Sequence, residues 1–173
     1  MGKARSRGVV RTYRFRRSIR APLPFVFRWW TDYREDDDRL TRSLYQYRAR
    51  IVLREPRRVV RIITLPGRTR NALTDVEVIS LRPPDRWHLE KMSATDDETG
   101  EYALTRVGPD LTRLDMRFRQ RWKLGRPSDR AKYLALCDRV YDRYVELIES
   151  AFRRSHRPRR RPLRRRRSSA RDV

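Results

Sequence analysis

LTRLDMRFRQRWKLGRPSDRAKYLALCDRVYDRYVELIESAF, residues 111–152, decides the fold. From Leu114 to Trp122, apolar residues alternate with charged ones, which is typical of a strand with one buried face. Gly125 and Pro127 end that strand, and Ser128 is the predicted N-cap of a helix. Apolar residues then recur at spacings of three and four over about six turns: Tyr133, Cys137, Val140, Tyr141, Tyr144, Ile148 and Phe152. The pattern predicts a strand followed by a long helix that packs on a sheet.

The sequence before residue 111 predicts six further strands, from similar alternation, and two short helices. The strands fall at Thr12–Arg20, Tyr45–Arg54, Arg58–Leu65, Ala72–Leu81, Trp87–Ala94 and Glu101–Val107. Asp96–Gly100 is predicted as a turn between the last two. The short helices follow the first strand, one over Phe25–Trp30 and one beginning near the acidic run Glu35–Asp38.

These elements predict a single α+β domain. A strongly curved, seven-stranded antiparallel sheet grips the long C-terminal helix. Because a bent sheet cannot pack flush on one helix, an apolar cavity is expected between them. The competing interpretation is a fully packed core, since aromatic residues at these spacings usually only fill space.

Charge is concentrated at the two ends of the chain. The net charge is +23 over 173 residues, and the basic excess lies in the first 20 and the last 21 residues. We therefore predict a basic arm at 1–11, a domain at 12–153 and a disordered arginine-rich tail at 154–173. Arginine clusters bind phosphate, so the tail is a candidate site for RNA, the ribosome or an anionic membrane surface. Its candidate residues are Arg157, Arg159, Arg160, Arg161, Arg164, Arg165, Arg166 and Arg167. The alternative is a solubilising end without a dedicated partner.

Several classes of protein find no support in the sequence. No apolar run approaches the roughly 20 residues of a membrane span, and no signal peptide is indicated, so a cytoplasmic location is expected. Cys137 is the only cysteine, which excludes an internal disulfide. The run Asp36–Asp38 is interpreted as a charged helix start rather than a metal site, and no cofactor is predicted.

Catalysis has one weak pair of candidates. His88 and Glu90 share one face of a predicted strand and are residue types that transfer protons. Trp87 and Leu89 more naturally face the core, however, which would place His88 and Glu90 in solvent.

Three stretches resemble the START/Bet v 1-like superfamily, of the polyketide cyclase/dehydrase and lipid-transport type. They are RFRRSIRAPLPFVFRWWTDY at 14–33, SLRPPDRWHLEKM at 80–92 and GEYALTRVGPDLTRLDMRF at 100–118. The resemblance implies a helix-grip fold whose cavity holds a lipid, isoprenoid, polyketide or aromatic ligand. The candidate lining residues are Tyr45, Tyr47, Trp87, Tyr102, Met116, Phe118, Trp122, Tyr141 and Tyr144. The family does not explain the arginine tail.

Three functions remain open. The first is non-enzymatic binding or transport of a small hydrophobic ligand. The second is a polyketide cyclase or dehydratase-like activity. The third is association with RNA or the ribosome through the basic tail.

Overall fold

The computed structural model describes residues 9–41, 44, 47–65, 73–124 and 129–156. Within these ranges the chain forms seven strands and three helices: β1 (Val10–Ile19), α1 (Leu23–Thr31), α2 (Asp38–Thr41), β2 (Arg48–Glu55), β3 (Arg58–Leu65), β4 (Leu73–Arg82), β5 (Arg86–Met92), β6 (Asp96–Gly108), β7 (Leu111–Trp122) and α3 (Arg130–Ser155). The predicted α+β class, with two short helices after the first strand, is confirmed. Four parts of the sequence predictions lie outside the described residues: residues 1–8 of the basic arm, Tyr45, Ser128, and the tail from Arg157 onward.

The seven strands form one antiparallel sheet in the order β1-β7-β6-β5-β4-β3-β2. From β2 to β7 each strand pairs with the next along the chain, whereas β1 pairs with β7. β1 and β2 therefore lie at opposite edges, and α1 and α2 carry the chain between them. The sheet curves around α3, so its inner face and the helix enclose the interior.

Alternation along the strands builds the core. Tyr13 and Phe15 on β1 and Leu114 and Phe118 on β7 are all buried. From α3, Ile148 is completely buried. Burying a large apolar side chain contributes roughly 1.5–3 kcal/mol, so these contacts hold the helix against the sheet.

An ion-pair cluster fastens α3 to β1. Arg17 Nε lies 2.7 Å from Asp142 Oδ1, and its Nη2 lies 2.6 Å from Asp138 Oδ1. Asp138 and Asp142 are one helical turn apart, so a single guanidinium bridges both carboxylates. Burial alone would lower the pKa of Arg17, but the two carboxylates outweigh it and raise that pKa.

The structure corrects three local predictions. Asp96–Gly100 is not a turn but the first part of β6, because Asp96 and Glu98 point inward and find polar partners there. Tyr47, which lies inside the predicted second strand, precedes β2, because that strand begins at Arg48. The N-cap of α3 is Asp129, whose Oδ1 accepts a hydrogen bond from the Lys132 amide at 3.0 Å, rather than Ser128.

No helix in the described part of the chain combines the length and apolar character needed to cross a membrane.

Candidate ligand cavity

A cavity of about 300 Å³ lies between the inner face of the sheet and α3. Just after the end of α1, the exposed side chains of Asp32 and Arg34 line the cavity and pair at 3.3 Å. Side chains from α1, from the sheet and from α3 surround the interior. Two chemically different walls result.

The first wall is aromatic. Tyr141 of α3 stacks on Phe118 of β7, with ring centroids 6.1 Å apart and planes 9° from parallel. Tyr102 of β6 meets Phe118 edge to face at 5.4 Å, and Trp87 stacks behind Tyr102 at 4.7 Å. Since every ring is held by another, this wall presents a rigid apolar surface.

The second wall is a row of polar side chains across five strands, which we call the polar ladder: Arg61, Glu77, Lys91, Glu98 and Gln120. Each member is paired in register with the next, from β3 through β4, β5 and β6 to β7. All of them except Gln120 line the cavity. The charges alternate along the row, so each cation lies beside a carboxylate and the desolvation of both is partly offset.

The contacts of the ladder are specific. Arg61 Nε lies 2.6 Å from Glu77 Oε2. Lys91 Nζ lies 3.1 Å from Asp96 Oδ2 and 4.0 Å from Glu98 Oε2. The Gln120 amide donates to the same Asp96 oxygen at 2.8 Å. Asp96 therefore lies at the end of the ladder, beside Lys91 and Gln120. Burial alone would raise the pKa of Asp96, but hydrogen bonds from Gln120 and Lys91 outweigh burial and lower that pKa.

Glu98 is a buried carboxyl of the ladder. Burial raises the pKa of its carboxyl, and the nearby Lys91 only partly counteracts this. The Tyr133 hydroxyl lies 3.3 Å from Glu98 Oε2 and bonds to it across the cavity from α3. The arrangement offers a buried carboxyl that exchanges a proton at a higher pH than an exposed glutamate does.

Arg61 forms the charged centre at the other end. Its guanidinium carbon lies 4.7 Å from the Tyr33 ring centroid, and its Nη1 lies 3.9 Å from Asp37 Oδ2. Burial would lower the pKa of Arg61, but Glu77 above all raises it. A permanent cation is thus held beside an aromatic face inside the cavity.

The predicted lining residues separate into three groups. Those that line the cavity are Tyr47, Tyr102, Phe118, Tyr141 and Tyr144. Trp87 and Met116 are packed in the core instead, and Trp122 does not reach the cavity. Tyr45 lies outside the described residues.

His88 and Glu90 are on the opposite side of the sheet. His88 Nε2 lies 3.5 Å from Glu90 Oε1, and both side chains contact solvent. Their neighbours Trp87 and Leu89 occupy the inward positions of β5. The alternation of the strand thus separates this pair from the cavity.

Sequence reasoning missed the polar ladder, although a signal was present. Arg61 is flanked at period two by the buried Val59 and Ile63, and Glu77 precedes the buried Ile79 by two residues. A charged residue at an inward position of several successive strands marks a shared polar interior.

No protein-family model matches the sequence, and no curated protein matches it. Solved structures do match the fold. The Zhui aromatase/cyclase from Streptomyces sp. R1128 has a TM-score of 0.61 at 12% identity, over 84% of this chain and 95% of that one. Ara h 8.0201 has a TM-score of 0.60 at 13% identity, over 84% and 99%.

A START superfamily protein from Mycobacterium smegmatis has a TM-score of 0.57 at 12% identity, over 83% of this chain and 98% of that one. The seven-stranded curved sheet around a long terminal helix is accordingly the START/Bet v 1-like helix-grip fold. This agrees with the resemblance drawn from the sequence.

Proposed function

We propose that the chain binds a small, flat, polyketide-like molecule in the cavity, with its rings against the aromatic wall and its polar groups against the polar ladder. The observation that carries the proposal is that these two walls face the same space. A purely hydrocarbon ligand would leave Arg61, Lys91 and Glu98 against apolar groups, which costs free energy. A ligand with ring hydroxyl or carbonyl groups satisfies both walls. Among lipid, isoprenoid and polyketide-like ligands, the lining favours the last.

The size of the cavity supports a compact ligand. Its volume of about 300 Å³ is at the low end of the range for small-molecule sites. The comparison structures include proteins named as aromatase/cyclases, whose name agrees with an aromatic ligand.

A direct binding titration tests the proposal. The probes are 1,8-dihydroxyanthraquinone and hexadecanoic acid, titrated by calorimetry against the full chain. We expect the quinone to bind and the fatty acid to bind at least about tenfold more weakly, a difference of about 1.4 kcal/mol. Tighter binding of the fatty acid, or no binding of the quinone, contradicts the proposal.

A matched pair of variants locates the binding. Val140 lines the cavity from α3, so Val140→Phe fills it and should abolish quinone binding. Arg139 is the exposed neighbour on the same helix, so Arg139→Phe adds the same side chain outside and should leave binding unchanged. Equal loss in both variants would place the quinone elsewhere.

A second candidate function is proton transfer to the bound ligand, as in a cyclase or dehydratase. The observation that favours it is Glu98, whose buried carboxyl faces the cavity beside Lys91 and Tyr133. A carboxyl whose pKa is raised by burial keeps its proton to a higher pH than an exposed one, which suits it to protonate a carbonyl or a departing hydroxyl group. The acid that we propose for this second function is therefore Glu98, not His88 or Glu90.

The test of this second function uses a poly-β-carbonyl thioester as probe and follows its cyclisation by NMR. At saturating substrate, Glu98→Gln should reduce the rate by about 10²-fold or more, the usual contribution of a general acid; saturation separates this effect from any loss of binding. Glu90→Gln, the matched change on the outer face, should have no effect. A wild-type rate no faster than buffer, or full activity in Glu98→Gln, rejects the enzyme.

A further inference from the structure

A second concavity lies on the outer face of the sheet, on the reverse side from the ligand cavity. It is a groove of about 890 Å³ over β1, β7, β6, β5 and the end of β4. Ala103 on β6 lies between Arg86 on β5 and Asp115 on β7 in the register. Because the short alanine is flanked by long side chains, it forms the floor and they form the walls.

The groove brings like charges together. Arg14 on β1 is directly opposite Arg117 on β7, and Arg82 on β4 is directly opposite Arg86 on β5. Like charges in directly opposed positions destabilise a sheet. Two such pairs on one face indicate that an anion offsets the repulsion when it is bound.

Among the described residues, the carboxylates of the groove pair with only one of these four arginines, Arg117. Asp115 binds Arg16 at 2.6 Å and Arg113 at 2.9 Å. Glu101 lies 3.9 Å from Arg117, and Glu90 pairs with His88. In the described part of the chain, no ion pair joins a carboxylate to Arg14, Arg82 or Arg86. These three guanidinium groups are available to an external phosphate.

The distance between the two arginine pairs fits a ligand that carries several phosphate groups along a flexible backbone. The midpoints of the two pairs are three strand spacings apart, or roughly 14 Å along the sheet at about 4.8 Å per strand. One phosphate group cannot contact both pairs, whereas a flexible backbone with repeated phosphates can. A duplex is too wide and stiff to reach a floor made by one alanine.

The shape also argues against a lipid surface. A planar bilayer would touch only the rims of a concave groove. The exposed large apolar side chains of the described residues, such as Val52, Leu53 and Val107, lie outside it. Nothing in the groove is suited to enter the acyl region.

We propose that this outer groove binds the sugar-phosphate backbone of single-stranded nucleic acid, independently of the ligand cavity. Arg82 and Arg86 contact one phosphate and Arg14 and Arg117 another, as phosphate contacts that carry no base specificity.

The test measures fluorescence anisotropy of a labelled single-stranded oligouridylate of about 12 nucleotides, with the full chain including its tail. The groove variant is Arg14→Gln/Arg86→Gln, which removes one arginine from each pair. The control is Arg48→Gln/Arg50→Gln on β2, two exposed arginines at the other edge of the sheet. Both variants change the net charge equally and keep the tail, so their difference belongs to the groove.

We expect the groove variant to weaken binding about tenfold or more and the control less than about twofold. The slope of log K against log salt should fall by about 1.4 in the groove variant, for two lost contacts at about 0.7 each. The midpoint temperature of thermal unfolding should not decrease in the groove variant, because the variant relieves the repulsion between the paired arginines. Quinone binding in the cavity should stay unchanged, which separates this result from the proposed function.

Three results would overturn the proposal. One is equal weakening by the control, which would show only a general charge effect. Another is equal affinity for a duplex of the same length. The third is that the groove variant loses binding to phosphatidylserine vesicles but keeps RNA binding, which would assign the groove to a membrane.

Discussion

Gly100 on β6 lies directly opposite Phe118 on β7, and the Phe118 ring covers it. A Cβ atom at position 100 would lie 2.9 Å from Phe118 Cε1 and 3.1 Å from Tyr102 Cε2. Both rings belong to the aromatic wall of the cavity. The absence of a side chain at Gly100 thus sets how far the wall lies from α3.

Gly100→Ala should push Phe118 and Tyr102 toward the cavity and strain the sheet. We expect a loss of about 1–3 kcal/mol of unfolding free energy, as for other overpacked sites, together with weaker quinone binding. Gly108→Ala on the same strand is the control, because its Cβ would meet only an ordinary contact, Leu111 Cβ at 3.7 Å. Urea denaturation of both variants measures the difference, and equal stability would refute the packing argument.

Lys91→Met should destabilise the chain by about 3–5 kcal/mol, since it leaves the buried side chains of Asp96 and Glu98 without the cation that lies beside them. Lys123→Met removes a comparable pair, Lys123 Nζ to Asp97 Oδ1 at 2.6 Å, but at an exposed site. That control should cost less than about 1 kcal/mol. Denaturation midpoints that fall equally in the two variants would contradict a structural role for the ladder.

The raised pKa of Glu98 predicts a pH dependence with a definite sign. Between its ordinary value of 4.5 and its raised folded value, the folded chain binds more protons at this site than the unfolded chain. Stability from this group therefore falls as pH rises through that window, because the buried carboxylate must form.

Glu98→Gln cannot ionise and should lack that contribution. The unfolding free energy of the wild type minus the unfolding free energy of the variant should decrease as the pH rises above about 4.5 and should then level off. Urea unfolding at a series of pH values measures it. A difference that is flat or rises with pH would show that the Glu98 carboxyl is not penalised by burial.

Ile148 is the α3 residue with no exposed surface, so Ile148→Ala should cost about 2–5 kcal/mol. Leu147, its neighbour, is only partly buried and is not packed against the central core cluster. Leu147→Ala should cost less than half as much. Chemical denaturation distinguishes the two, and a larger effect at Leu147 would mean that the helix packs in another rotation.

The arginine tail is expected to add binding to polyanions without base specificity. Residues 157–173 contain nine arginines and one aspartate, and each phosphate contact contributes to the salt dependence. Removing them should lower the salt concentration at which the chain elutes from heparin and should leave quinone binding unchanged. Elution at an unchanged salt concentration would reject the tail as a polyanion site.

Alternation and helical spacing correctly predicted where most elements lie. They failed at Asp96–Gly100, where acidic residues suggested a turn but form the start of β6. A polar strand start is stable here because Lys91 and Gln120 on the adjacent strands pair with Asp96. Gln120 lies 24 residues after Asp96, so local patterns could not reveal this contact.

The sequence by itself determined the strands, the long helix and the side of β5 on which Trp87, His88, Leu89 and Glu90 lie, because these depend on the period of apolar residues along one segment. Only the tertiary structure decided that Arg61, Glu77, Lys91 and Glu98 stand in one row inside the cavity. Their alignment depends on the register of four neighbouring strands, and a shift of one residue in any of them would turn a charge to the opposite face.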